Sequence, residues 1–271
     1  MTSTYVINID TASQEDQEIL LATLSDIGFD AFEQVPGKLV AYCNSETYNN
    51  GFFKDLLLNR KWSLQIIDPQ NWNSKWESSF EPVVIHDFCA IRASFHPAIE
   101  NVQHEIVITP KMSFGTGHHA TTWLMIEQMS RLEFKHKTVL DFGTGTGVLA
   151  ILAEKLGADK ITAIDIDDWS IENARENLDF NHCFSVLLEK ASDLSGYSSF
   201  DIILANINKH VLIEQMQAIK QHLNKEGVVI FSGLLSGDRD EMVEQAKLAS
   251  LSIVGEQEKD NWICLAFNHK A

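Results

Sequence analysis

Apolar residues along the first part of the chain switch between a period of two and a period of three to four, with turn or capping residues at the switches. YVINI (5–9) alternates as a strand does. Ser13 with Asp16 three residues on is a capping-box pattern, and Leu20, Leu24 and Ile27 then stripe a helix that Gly28 closes. FDAFEQV and KLVAYC read as two strands around the Pro36-Gly37 turn. Tyr48, Phe52 and Leu56 stripe a second helix, and WSLQIID is a last strand. The order strand, helix, strand, strand, helix, strand over residues 1–68 predicts a small ferredoxin-like α+β domain.

Residues 69–82, PQNWNSKWESSFEP, are polar and bracketed by prolines, as a linker would be. Trp72 and Trp76 stand four apart and share one side of a helix, with Phe80 beyond them, so the spacing predicts a short packed helix here. Stacking of bases on these rings is the competing use, and the acidic surroundings disfavour it. From residue 83 strands and helices alternate. VVIHDFCAI and EIVIT read as leading strands, 119–131 as a helix, 137–142 as the first parallel strand and 147–156 as its helix, ended near Gly157. ADKITAID, the helix SIENARENLDFN, SVLLEK and FDIILANI follow. Then come a helix striped by Leu212, Met216, Ile219 and Leu223 and closed by Gly227, the strand GVVIFSGLL, a helix over 238–248, and the strands SLSIVGEQ and WICLAFN. This alternation predicts an α/β domain over 83–271, a mostly parallel sheet with helices on both faces.

Composition narrows the class. With 271 residues, 45% of them apolar, the chain can fill a real core. No stretch approaches the roughly 18 apolar residues of a membrane span, and the acidic start lacks the pattern of a signal peptide, so a soluble cytoplasmic protein is expected. The cysteines Cys43, Cys89, Cys183 and Cys264 form no CxxC pair and read as buried thiols. A net charge of -17 disfavours nucleic acid and suits a basic protein partner, unless the acidity serves only solubility.

Ligands of open parallel sheets bind at the carboxyl ends of the strands, and the chemistry-bearing residues fall at such ends. VLDFGTGTGVLAI places Asp141, Gly143, Gly145 and Gly147 between a strand and a helix, a turn whose backbone can lie against a ligand or simply pack closely. Its spacing is GxGxG, not the GxGxxG of dinucleotide folds. Asp165, ending the next strand, can accept hydrogen bonds from the ribose hydroxyls of either a nicotinamide dinucleotide or S-adenosylmethionine. Asp167 and Asp168 behind it read as helix caps. Asn206, ending the fourth strand, suits either orientation of an amine beside a sulfonium methyl or capping of the next helix. SFGTGHHATTW (113–123) is a second glycine turn into a helix. His118 and His119 are adjacent, without the spacing of a metal pair, so no metal is expected; Thr121 and Thr122 are candidates for the carboxylate end of a cofactor.

Taken together, FGTGHHATT, DFGTGTGVLAILAEKLGA, the acidic DID, LAN, FSGLL and NWNSKWESSFEP resemble the methyltransferases of ribosomal large-subunit protein L-eleven over nearly the whole chain. That resemblance implies a class I, Rossmann-like methyltransferase domain using S-adenosyl-L-methionine, preceded by a ferredoxin-like domain that holds the ribosomal protein. Carried over position by position, Thr122, Gly143, Asp165 and Asn206 would contact the cofactor. The acceptors would be lysine and amino-terminal amines of the basic ribosomal protein, with no direct nucleic acid or membrane partner and the enzyme a monomer. Lys111 departs from the family's usual glycine and Asp168 from its usual proline.

A lysine amine, with a pKa of about 10.4 in water, must lose its proton before it attacks a methyl group, and a drier site makes this easier. No side chain in the motifs is an obvious base, so catalysis is expected from positioning and desolvation, with Asn206 as the orienter. The competing readings are a methyltransferase acting on another protein or a small amine, a nicotinamide-dependent oxidoreductase, and a binding module with a vestigial pocket.

Overall fold

The computed structural model describes residues 3–67, 80–111 and 114–269, apart from the side chains of Asn50, Phe52 and Ile67. The chain divides into two compact units, Met1–Ser78 and Ser79–Ala271.

In the first unit β1 (Thr4–Asp10), β2 (Ala31–Val35), β3 (Lys38–Cys43) and β4 (Trp62–Ile67) form one sheet of order β2-β3-β1-β4. Every neighbouring pair in it is antiparallel, which is the ferredoxin-like arrangement. Helix α1 (Gln14–Asp26) starts where the sequence predicts: the Ser13 hydroxyl accepts the Asp16 N–H at 3.2 Å. The Asp16 carboxylate reaches back to the Ala12 N–H at 3.0 Å. Ile7, Ile9, Leu20, Leu24, Leu39 and Phe53 fill the core between sheet and helices. The second helix differs from expectation. Gly51, at φ 76°, divides it into α2 (Ser45–Asn50) and α3 (Phe52–Leu56). The left-handed residue shifts the helical phase, so Phe53 and Leu57 are buried, and Leu56, which the unbroken stripe predicted inside, faces solvent.

The helix expected over 69–82, with Trp72 and Trp76, lies outside the described residues up to position 79; Phe80 is buried in the core of the second unit. There, β5 (Val83–Ile85), β6 (Cys89–Ala93) and β7 (His104–Ile108) make a three-stranded sheet. VVIHDFCAI is thus a hairpin, not one strand, reversing at His86 with φ 51°. Next come α4 (Ala120–Met129), β8 (Thr138–Phe142), α5 (Val148–Lys155), β9 (Lys160–Asp165), α6 (Asp168–Phe180) and β10 (Val186–Lys190). The chain continues through β11 (Phe200–Asn206), α7 (Lys209–Gln221), β12 (Leu223–Leu235), α8 (Arg239–Leu248), β13 (Leu251–Lys259) and β14 (Trp262–His269).

These later strands form a seven-stranded sheet of order β10-β9-β8-β11-β12-β14-β13, parallel except for β14, which runs against both neighbours. The period of two sorts side chains between its faces. Val139, Ile202 and Leu204 pack with α4, α5 and α6; Leu140, Ile203 and Ala205 pack with α7 and α8. The direction of strand progression reverses between β8 and β11, so their carboxyl ends open a crevice. Gly227 does not close α7: the helix ends at Gln221, and Gly227 lies within β12. A Cβ there would stand 2.9 Å from the Asp201 carbonyl oxygen.

Arg60 grips Asp16 with both prongs of its guanidinium, at 2.6 and 2.5 Å, and joins the start of α1 to the approach to β4. This fork, helped by the Ala12 amide, lowers the Asp16 carboxyl from 3.8 to about 2. A carboxyl with a depressed folded pKa stabilises above its unfolded value and loses that contribution as pH falls through the folded one. The first unit should therefore lose stability between about pH 4 and pH 2, and Arg60→Ala should remove most of that slope while costing about 1 kcal/mol at neutral pH. Urea titrations read at the core methyl signals of Ile7 and Ile9 measure both; an unchanged slope in the variant contradicts the assignment.

Candidate active site

At the crevice the chain leaves β8 through Gly143, Gly145 and Gly147, with φ of 78°, 55° and 80°. Each lies hard against a different neighbour. An added Cβ would come within 2.3 Å of the Ile207 side chain at Gly143, 2.3 Å of the Phe114 carbonyl oxygen at Gly145 and 3.3 Å of Ala174 at Gly147. The turn is held by the Ile164 carbonyl, which accepts the N–H groups of Gly143 and Thr144, each at 2.9 Å. The FGTG turn docks onto it. Thr146 donates its N–H to the Phe114 carbonyl at 3.0 Å and its hydroxyl to the Gly115 carbonyl at 2.8 Å.

Above the docked turns lies a cleft of about 470 Å³, with Phe114, His119, Asp165, Ile166, Asn206 and Trp262 in its walls and Gly143 and Gly145 at its base. Of the residues predicted from the sequence, Gly143, Asp165 and Asn206 line it together. Thr122 does not. It is buried on the first turn of α4, where its hydroxyl accepts the Asn206 amide at 3.4 Å, and it lines a small inner pocket with Gly143, Thr144 and Asn206. Thr121 is also buried, its hydroxyl 2.8 Å from His119 Nδ1.

Asp165 accepts the Gly145 N–H at 2.9 Å and the Asp167 N–H at 3.1 Å, which aims it across the glycine turn and leaves lone pairs for further donors. Asp167 caps α6 through the Ser170 N–H at 3.0 Å, as expected. Asp168 instead pairs with Lys190 at 2.6 Å. At Asn206 the geometry separates the two readings of the sequence. The residue preceding α7 is Asn208, and its side chain makes no cap bond, so Asn206 is not a helix cap. Its Oδ1 is buried without a hydrogen-bond partner, a state that costs free energy until a donor arrives.

The adjacent histidines diverge. His118 stacks edge-on against Phe80 at 4.6 Å, whereas His119 accepts the Thr121 N–H at 3.3 Å and meets the Trp262 ring at 4.6 Å. Sequence reasoning missed Trp262. Its signal was the Asp260-Asn261 pair before it: both residues adopt left-handed φ, 51° and 64°, in a tight hairpin between β13 and β14 that sets the ring beside the cleft. Asp141, beneath the glycine turn, is fully buried. Its Oδ2 accepts the Thr144 hydroxyl at 2.6 Å and the Ala150 N–H at 3.2 Å, and its Oδ1 has no partner. Burial pushes this carboxyl up to about 7 against the pull of those donors.

A sheet of this strand order, with a GxGxG turn after its first parallel strand, an acid ending the next and a carboxamide ending the fourth, is that of a class I methyltransferase. The chain belongs to the ribosomal protein L11 methyltransferase family: the family model described as "Ribosomal protein L11 methyltransferase (PrmA)" matches residues 6–270. A ribosomal protein L11 methyltransferase of Porphyromonas gingivalis is 39% identical over 260 residues, spanning 92% of this chain and 90% of the relative. One from Chlorobaculum tepidum is 35% identical over 263 residues, spanning 91% and 90%. The crystal structure of a ribosomal protein L11 methylase from Lactobacillus delbrueckii subsp. bulgaricus matches with a TM-score of 0.66 at 33% identity, covering 71% of this chain and 100% of that one. A putative RNA methyltransferase from Pyrococcus horikoshii, at 19% identity and a TM-score of 0.51 over 60% of this chain and 92% of that one, shares the fold alone.

Two measurements test this architecture. Gly145→Ala combines a left-handed φ with a collision against the Phe114 carbonyl and should cost about 3 kcal/mol, whereas Gly196→Ala, with φ 90° and nothing within 4 Å, should cost about 1 kcal/mol. Urea unfolding compares them, and equal losses would contradict the docking. A carboxyl with a raised folded pKa stabilises below its unfolded value and loses that contribution as pH rises through the folded one. The Asp141 contribution should thus fade between about pH 4 and about pH 7. Asp141→Asn should flatten that stretch of the stability profile, measured by thermal denaturation, and an unaltered profile would contradict the shift.

Proposed function

We propose that this chain transfers methyl groups from S-adenosylmethionine to lysine and amino-terminal amines of ribosomal protein L11, in the cytoplasm. The observation that carries the reading is that Gly143, Gly145, Asp165 and the Asn206 carboxamide, drawn from three neighbouring strand ends, line one cleft together with Trp262. Bound there, S-adenosylmethionine supplies an electrophilic methyl on a positively charged sulfur. The residues present suit it. Asp165 offers carboxylate oxygens to ribose hydroxyls, the glycine turn lets backbone approach closely, and a cleft of about 470 Å³ falls in the range of cofactor sites.

The protein's own part is to bind, orient and dry the acceptor. The Asn206 carboxamide, in the cleft wall at the end of β11, is the polar group placed to orient a neutral amine so that its lone pair faces the methyl carbon. Phe114, Ile166 and Trp262 give the cleft apolar walls, which disfavour the ammonium form and so ease loss of its proton to water before attack. The net charge of -17 draws in a basic protein and repels nucleic acid, in keeping with L11 itself, not ribosomal RNA, as the substrate.

Purified chain incubated with S-adenosylmethionine and L11 should shift the mass of L11 by whole methyl increments on lysine and amino-terminal amines, and Asn206→Ala should slow this by roughly 100-fold. L11 of unchanged mass would refute the assignment; a fully active Asn206→Ala would refute the role of the carboxamide.

A further inference from the structure

Helix α6 carries Asn173 and Asn177 on one face, and Asn181, its C-cap, continues the row one turn on. Such a polar stripe ordinarily faces water, yet Asn173 and Asn177 are fully buried. The three carboxamides run along the edge of β7 that β6 leaves unpaired, and they bond to it as a neighbouring strand would. Asn181 accepts the Val107 N–H at 2.9 Å and donates to the Val107 carbonyl at 2.6 Å. Asn177 accepts the Thr109 N–H at 2.7 Å, and Asn173 donates to the Thr109 carbonyl at 3.2 Å.

Asn177 does one thing more. Its amide donates to the Thr146 carbonyl at 2.8 Å, inside the glycine turn. A single buried side chain thus holds both the strand end that leads into the FGTG turn and the residue on which that turn docks. Glu176, next to it, fastens the outer side of the same segment by accepting the Thr109 hydroxyl at 3.2 Å and pairing with the Lys111 ammonium.

We infer that Asn177 is a positioning residue of the methyl-donor pocket, its carboxamide setting the spacing between the two glycine turns that form the cleft base. The inference rests on the reading of that cleft as the donor site. An apolar side chain in so dry a place would leave the Thr109 N–H and the Thr146 carbonyl without partners. A carboxamide whose bonds go to the approaches of both turns fixes their separation. Linkage then requires the converse: a ligand that tightens the turns must also steady the β7 edge.

The test uses the full chain and S-adenosylhomocysteine as the probe. In the parent protein the probe should slow amide exchange at Val107 and Thr109. Asn177→Leu keeps the branched outline, somewhat enlarged, but removes the bonds; it should weaken probe binding by calorimetry about tenfold, the effect of one or two lost hydrogen bonds, and abolish the slowing at Thr109. The KM for S-adenosylmethionine should rise while that for L11 stays constant, a split that general loss of structure would not produce. Glu176→Gln, at the more exposed outer clasp, leaves the core untouched and should weaken probe binding about threefold. Parent-like affinity and exchange in both variants would overturn the inference. A parent chain that binds no S-adenosylhomocysteine would overturn the donor reading beneath it.

Discussion

The contact of Gly145 with the carbonyl oxygen of Phe114 governs the candidate site. The space there leaves no room for a Cβ, which would come within 2.3 Å of that oxygen. Around it Thr146 bonds to both Phe114 and Gly115, so two segments distant in sequence share one surface. The same economy of space recurs on the other side of the cleft. Ile207 is wedged between Gly143 and Gly233, and a Cβ at either glycine would approach it to 2.3 Å. The glycines around the cleft therefore answer first to protein packing, and the cleft is what their close packing leaves open.

Three buried side-chain oxygens lack hydrogen-bond partners among the described residues, and one of them, Asn173 Oδ1, lies on α6. Asn206 Oδ1 and Asp141 Oδ1 are both buried and unpaired, close to the ends of adjacent parallel strands. Asp165 is already engaged by backbone amides, which fix its direction before any ligand arrives. Of the histidines, His119 uses Nδ1 to cap α4 and its ring to support Trp262.

Elements with a clear period and a capping residue were legible in the sequence: the Ser13 start of α1, the strand ends at Asp165 and Asn206, the parallel order of the second unit. The breaks were not. Gly51 divides a helix whose apolar spacing runs straight through it, because one left-handed residue resets the phase without altering the pattern. Gly227 has the look of a helix end, yet it sits in a strand for lack of room beside Asp201. Thr122, which the resemblance makes a cofactor contact, lines a small inner pocket with Phe114, Gly143 and Asn206, a depth that sequence alone does not give. The asparagines of α6 were silent, since an i, i+4, i+8 row of carboxamides looks like a solvated face unless a strand edge is known to lie against it.

On the proposed function, the docked glycine turns, Asp165 and Asn206 together form a pocket for a methyl donor and not for a dinucleotide. Calorimetric titration of the full chain with S-adenosylhomocysteine and, separately, with NAD tests it most directly. Saturable one-to-one binding of S-adenosylhomocysteine with no heat from NAD is the predicted result; binding of NAD, or of neither, would contradict it.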